Sequence, residues 1–326
     1  MNTHPYDRLT PDMVIDAVES AGYLSDARLL ALNSYENRVY QVGIEDSVPL
    51  IAKFYRPERW SDAQIHEEHQ FSLELRDAEI SVVAPMVDAS GNTLHTYEGF
   101  RFALFERRGG YPPELDNLDN ILVLGRTVGR IHGVGRAGKF VHREEIAVDR
   151  MLSTNREFLL GGFIPRELIP AYETLTADLQ TAVESIYSEV RPQDVIRVHG
   201  DCHVGNILWR DDTAHFVDLD DCCTAPAIQD LWMFLNGDRH DRQLQLSELV
   251  EGYSEFCDFD PRQIRWIEAL RTMRLVNYAA WLARRWTDPA FPRSFTWFNT
   301  ERYWADHVLE LREQLFALQE EPLQLL

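Results

Sequence analysis

Cysteine is scarce in this chain. The four present, Cys202, Cys222, Cys223 and Cys257, include an adjacent pair and no C-x-x-C spacing. That pattern argues against a disulfide framework and gives no support to a structural zinc site. Long apolar runs are also missing, and none approaches the roughly 18 residues of a membrane span. The longest candidate, Val276 to Ala283, is interrupted by Asn277 and flanked by Arg274, Arg284 and Arg285. The opening residues, MNTHPYDRLT, are polar and lack the apolar stretch and cleavage site of a secretory signal. A reducing cytoplasm is the expected compartment. Positive charge is short as well: 32 Lys and Arg stand against 53 Asp and Glu, a formal net charge of −21. Such a field repels nucleic acid and anionic lipid, so neither is expected as a partner. There is no internal repeat and no low-complexity tract.

What is present reads as a globular chain. Hydrophobic residues make up 45% and charged residues 26%, ordinary proportions that argue against wholesale disorder. The 326 residues suffice for two lobes. Residues 38–44 (RVYQVGI) and 49–55 (PLIAKFY) are rich in strand formers, with a turn-like EDSV between them. Residues 61–77 read as a helix, with Ile65, Ser72 and Leu75 at helical spacing. VVAPMV (82–87) and FRFALFE (100–106) are expected as further strands, with a Gly91-Asn92 turn between them. These four strands, a fifth not located in the sequence, and one helix make a small first lobe. Gly109-Gly110 and Pro112-Pro113 then break regular structure, so the boundary is drawn after residue 105. Residues 106–326 are mainly helical, with helices expected over 117–133, 166–190, 262–286 and 300–318. Two short strands, 195–198 (VIRV) and 214–219 (AHFVDL), bracket the most informative segment. The fold class is α+β, with a β-rich N-terminal lobe (1–105) and a larger helical C-terminal lobe (106–326).

That segment reads His199-Gly200-Asp201-Cys202-His203-Val204-Gly205-Asn206, the spacing H-x-D-x-x-x-x-N of phosphoryl-transfer loops. Asp218 follows in Val-Asp-Leu-Asp-Asp at the end of an apolar strand. The chemistry needs one carboxylate to orient and accept the proton of an attacking hydroxyl. It also needs an amide oxygen and a second carboxylate to hold magnesium against the phosphates of ATP. Lys53 sits in a strand-like LIAKF, placed as a phosphate-binding lysine would be; a solvated edge lysine is the plainer alternative. Glu68 shares a helix face with Ile65, Ser72 and Leu75 and is expected inward, where a buried carboxylate needs a cation such as Lys53. Glu67 is expected outward.

In these segments the chain resembles the aminoglycoside phosphotransferase and choline kinase superfamily, whose members share a protein-kinase-like bilobal fold. The resemblance rests on NSYENRVYQ (33–41), KFYRPERW (53–60), EEHQF (67–71), HGDCHVGNILWRD (199–211), VDLDD (217–221), PAIQDLWMFLNGD (226–238) and RRWTDPAFP (284–292), which together run over most of the chain. It implies Asp201 as catalytic base, Asp218 as a further catalytic residue, and Asn206 and Asp218 as magnesium ligands. Lys53 would contact the ATP phosphates, held by Glu68. Ser34 would lie over the nucleotide, and Phe105, Glu106 and Arg107 would form a hinge beside adenine. It further implies a cytoplasmic, monomeric serine/threonine protein kinase that autophosphorylates and acts in stress response and cell survival. A kinase of an amino alcohol or sugar is the first alternative, and a nucleotide-binding pseudokinase scaffold the second. Two departures stand out. The glycine-rich G-x-G-x-x-G is replaced by Asn33-Ser34-Tyr35-Glu36-Asn37-Arg38, and D-F-G by Asp218-Leu219-Asp220, with no evident activation loop after it.

Neighbouring residues carry weaker signals. His199 and His203 resemble general bases, but a histidine opening this loop is more often a buried strut. Asp220 and Asp221 supply either a metal oxygen or a brace for loop backbone. Asp230 is expected to accept N–H bonds from the catalytic loop. Cys202 suggests a redox switch, yet a small loop cysteine without a nearby cation is usually inert. The aromatic-rich 262–286 helix reads as lobe packing, and its Arg271, Arg274, Arg284 and Arg285 are candidates to meet phosphate or an acidic substrate.

Overall fold

The structure is a computed structural model that describes residues 6–326; residues 1–5, half of the polar opening segment discussed above, lie outside the described residues. Helix α1 (Pro11–Ser20) is capped by Thr10 and buries Val14, Ala17 and Val18. Its start carries the proline-at-first-turn signature. Strands β1 (Ser25–Ala31), β2 (Arg38–Ile44) and β3 (Leu50–Phe54) follow, then helix α2 (Asp62–Asp77), strand β4 (His95–Tyr97) and strand β5 (Phe100–Glu106). The five strands form one antiparallel sheet in the order β1-β2-β3-β5-β4. Lys53 lies in its centre, opposite Val39 on one side and Ala103 on the other.

The rest is mostly helical. Helix α3 (Leu118–Arg136) leads into a π-turn at Asp149–Ser153, α4 (Thr154–Leu160) and α5 (Ile169–Tyr187). Four short strands come next: β6 (Val195–Val198), β7 (Ile207–Arg210), β8 (Thr213–Phe216) and β9 (Cys223–Pro226). Helices α6 (Ile228–Trp232), α7 (Arg239–Ser254), α8 (Ile267–Arg284), α9 (Ala290–Ser294) and α10 (Glu301–Ala317) complete the chain. The architecture is the α+β bilobal one, a small antiparallel sheet beside a larger helical lobe. Helices α3 and α7 pack backbone to backbone. A Cβ at Gly125 would run into the Leu249 carbonyl, and one at Gly129 would come within 2.6 Å of the Tyr253 carbonyl.

Three expectations are corrected. VVAPMV is not a strand. It makes single bridges from Val82 to Phe216 and from Pro85 to Phe105, because a proline without an N–H cannot continue a ladder. The sheet takes β1 and β4 as members instead. A second helix, α1, joins the N-terminal lobe. Finally, the strand expected over 214–219 stops short of Asp218. β6 pairs with β9 and β7 with β8, in two separate ribbons, and β8 ends at Phe216. β5 ends at Glu106, beside the proposed boundary, but the apolar cores divide differently: Phe71 and Leu75 of α2 join the large C-terminal cluster.

Candidate functional site

The loop after β6 is anchored from below by Asp230 on α6. The backbone N–H groups of His199 and Gly200 donate to its carboxylate at 2.7 and 2.9 Å, and His132 Nε2 lies 2.9 Å away. Asp230 is fully buried, so this carboxylate is satisfied wholly by protein donors. Gly200 turns the chain with φ 85°, where a Cβ would strike the Asp221 carbonyl; only glycine fits. His199 is buried and donates from Nε2 to the Val217 carbonyl at 2.9 Å, a strut between the two loop segments. The other tie is Val217 N–H to the Asn206 carbonyl, 3.0 Å. These turns and cross-links, together with the pairing of β7 with β8, bring Asp201, Asn206 and Asp218 to one cleft. Asp218 sits in the left-handed region with φ 59°, a conformation aspartate tolerates, and its side chain is 53% exposed toward the cleft.

Lys53 collects three carboxylates. Its Nζ is 3.0 Å from Asp218 Oδ1, 3.1 Å from Asp220 Oδ1 and 3.3 Å from Glu68 Oε1. Burial opposes its charge, but Asp218, Asp220 and Glu68 outweigh burial and hold its pKa well above the ordinary value. Burial pushes the Glu68 carboxyl up to about 7, against the pull of Lys53. Asp220 is buried as well; Lys53, Arg59 and Arg143 overcome that burial and hold it below the usual carboxylate range. Asp220 also pairs with the Arg59 guanidinium and accepts from Asn37 Nδ2 at 3.2 Å. It braces the loop from a buried position in the cleft wall. Arg59 reaches Asp221 as well, at 2.6 Å. Glu67, expected outward, accepts from the N–H groups of Val141, His142 and Arg143 at 2.7–2.9 Å and pins that loop.

The cleft holds about 790 Å³. Ser34 lines its roof and donates to the Asn37 carbonyl at 3.1 Å. Phe105 and Glu106 line its back edge with Arg108, whereas Arg107 donates to Gln41 at 2.7 Å. Glu36, in the same roof segment, is clasped by α8: Trp281 Nε1 donates to it at 2.6 Å and the Arg285 guanidinium pairs with it. On the far side of Asp201, Arg274 Nη1 lies 2.7 Å from Oδ1 and His203 Nε2 3.4 Å from Oδ2. Partial burial alone would raise the Asp201 carboxyl, but His203 and Arg274 hold it well below the usual range. Cys202 is buried, and burial pushes its thiol well above the ordinary value. It is a thiol without thiolate character, which removes the basis for a redox switch.

The donors suit a hard divalent cation. Asn206 spends its Nδ2 on the Asp201 carbonyl at 2.9 Å, which leaves its Oδ1 as the available group. Asp218 presents a half-exposed carboxylate beside it. Among the described residues no three His, Cys, Asp or Glu side chains form a ready-made metal cage. One carboxylate and one amide oxygen, completed by phosphate oxygens and water, is how magnesium is commonly held at phosphoryl-transfer sites. The carboxylate of Asp201 can orient a hydroxyl, and the ammonium of Lys53 can meet an anionic leaving group. Sequence reasoning did not foresee Arg59, Glu36 or the partner of Asp201. Arg59 lies in the quoted KFYRPERW segment, but nothing in the spacing points to Asp220, 161 positions away.

Comparison with known proteins agrees with this geometry. Residues 28–267 match the model of the phosphotransferase enzyme family. The stress response kinase A of Escherichia coli O157:H7 is 48% identical over 321 residues, 98% of this chain and 97% of that protein. The serine/threonine protein kinase RdoA of Salmonella typhimurium is 45% identical over 325 residues, 99% and 98% of the two chains. Among solved structures, the amicoumacin kinase hAmiN, in complex with AMP-PNP, Ca2+ and Ami, superposes with a TM-score of 0.76 at 19% identity, over 96% of this chain and 94% of that one. The family resemblance read from the sequence segments is borne out.

Proposed function

This chain belongs to the phosphotransferase enzyme family, and from that premise we propose that it is a magnesium-dependent serine/threonine protein kinase that moves the γ-phosphoryl group of ATP to protein hydroxyls, its own included. The observation that carries the reading is the convergence of Lys53, Asp201, Asn206 and Asp218 on one cleft. The names borne by relatives at 45–48% identity support a protein acceptor and a part in stress response and survival. Work in the cytoplasm as a monomer belongs to the same reading. No described helix is long and apolar enough to cross a membrane.

Each residue has a task. Asp201, kept ionised by Arg274 and His203, hydrogen-bonds the acceptor hydroxyl and aims its oxygen at Pγ. As the new O–P bond forms, the bond from Pγ to the bridging oxygen breaks, and ADP leaves with that electron pair. The hydroxyl proton passes to Asp201 late, as suits a loose transition state and a weakly basic carboxylate. Lys53, held by Glu68, meets the phosphate oxygens. Asn206 and Asp218 hold magnesium, which when bound neutralises charge on the phosphates. Ser34 and the backbone of residues 33–37 cover the nucleotide in place of a glycine-rich loop. Phe105 and Glu106 border the adenine.

A small-molecule acceptor is the second reading, favoured by the fold shared with amicoumacin kinase. Asp201→Asn should lower turnover by roughly 10²–10⁴-fold and spare nucleotide binding. Asp218→Asn should weaken magnesium-dependent binding of ATP. Radiolabelled ATP with the protein alone, with generic protein acceptors and with small alcohols separates the readings. Label on alcohols alone would overturn the protein-kinase reading. Nucleotide binding without any transfer would favour a scaffold.

A further inference from the structure

The floor of the cleft beyond Asp201 is built by residues 144–151 and by α8, and its carboxylates are already matched by arginines. Glu144 Oε2 lies 2.6 Å from Arg150 Nη1, and Asp201 Oδ1 lies 2.7 Å from Arg274 Nη1. Both arginines line the cleft and are partly exposed. The ion pair that Arg274 makes among the described residues is the one from Nη1 to Asp201. In a chain of net charge −21, this is a patch where the charges balance. A cationic alcohol entering here would find both carboxylates taken and two guanidinium groups facing it. An anion would find an open fork suited to carboxylate or phosphate.

Resting on the protein-kinase reading above, we propose that Arg274, seconded by Arg150, selects acceptor hydroxyls carried beside a negative charge: serine or threonine flanked by Asp, Glu or a phosphorylated residue. Arg274 stands beside the base, so it reads the residues next to the acceptor while holding Asp201 in place. Arg150, farther along the floor, reads a more distant position. The attraction acts at the mouth of a cleft and is weakened by salt.

The test uses the full chain with magnesium and ATP, and peptides identical except for acidic, neutral or basic residues flanking one serine. Ethanolamine serves as the cationic alcohol. Acidic peptides should exceed basic ones in kcat/KM by about tenfold or more, a preference that falls as KCl rises. Arg274→Glu should invert the ratio, and Arg150→Gln should shrink it. A ratio within one variant is insensitive to general damage to Asp201 or to folding, which lowers all peptides alike. Equal use of all peptides by the unaltered protein, or a ratio unmoved by both substitutions, overturns this inference and leaves the kinase reading intact. Turnover of ethanolamine with none of any peptide overturns both.

Discussion

Replacing Asp230 with alanine should separate loop anchoring from nucleotide binding. The substitution strips the acceptor from three buried donors: the N–H groups of His199 and Gly200, and the ring of His132. An unsatisfied buried donor costs about 1–3 kcal/mol, and breaking a buried charged network typically costs about 3–5 kcal/mol. Partial relaxation keeps the total near the second range, so Asp230→Ala should lose about 3–5 kcal/mol. Asp230→Asn keeps one acceptor oxygen and turns an NH2 toward the other donors, so about 2–3 kcal/mol is expected. Urea unfolding followed by circular dichroism should show a lower midpoint with little change in slope, since the surface exposed on unfolding is the same. His132 bonds both Asp230 and Tyr253, so the double variant with His132→Ala should cost less than the two singles summed, by about 1–2 kcal/mol. At a temperature where the variant is folded, turnover should fall because Asp201 has lost its support, while ATP affinity should fall less because Lys53 and the Asp218 carboxylate do not touch Asp230. A stability loss under about 1 kcal/mol, or a fall in ATP affinity with turnover intact, would refute the anchoring role.

Three further outcomes are expected. Gly125→Ala should destabilise by about 2–4 kcal/mol because its methyl would enter the Leu249 carbonyl, whereas Gly133→Ala, on the same helix with open space around it, should stabilise by about 0.5–1 kcal/mol; thermal melts that move together would contradict the close α3–α7 packing. His69 is buried between Tyr55 and Thr93, and burial with the charge of Lys53 lowers its pKa from 6.5 to about 3. Its stabilising contribution is therefore complete above pH 6.5 and is lost as pH falls toward 3. Glu68, raised to about 7, acts in the opposite sense, so the effect is read as the difference between wild type and His69→Gln: about 2–3 kcal/mol of wild-type advantage lost between pH 7.5 and 4.5, and no pH trend in that difference would count against it. Glu36→Gln should loosen the roof from Trp281 and Arg285 and speed nucleotide release by about tenfold in stopped-flow measurements; an unchanged release rate would show that this clasp does not govern exit.

The gaps in the sequence reading have physical causes. Helix α1 carries a readable signal, Thr10-Pro11 followed by apolar residues at helical spacing, but it is short. β1 was hidden by a bulge between Ser25 and Leu29 and by exposed Leu30, which spoil the alternation expected of a strand. VVAPMV has strand composition, but Pro85 confines it to single bridges that stitch β5 to β8. Glu67 follows its helix face outward, and only the fold reveals that the 141–143 loop comes to meet it.

Local order alone sufficed for much of this protein. Helical periodicity marked α3, α5, α8 and α10 but not α7, alternation marked β2, β3 and β5, and the short segment between residues 199 and 218 placed Asp201, Asn206 and Asp218 within reach of one another. Glu68 could be aimed inward because a helix face is a matter of spacing. Tertiary structure decided who pairs with whom across long stretches of chain: Arg274 with Asp201, Arg59 with Asp220, Arg285 with Glu36. A charge announces neither its distance nor its direction in a linear text. Those partners hold Asp201 ionised and keep the buried Asp220 matched by cations.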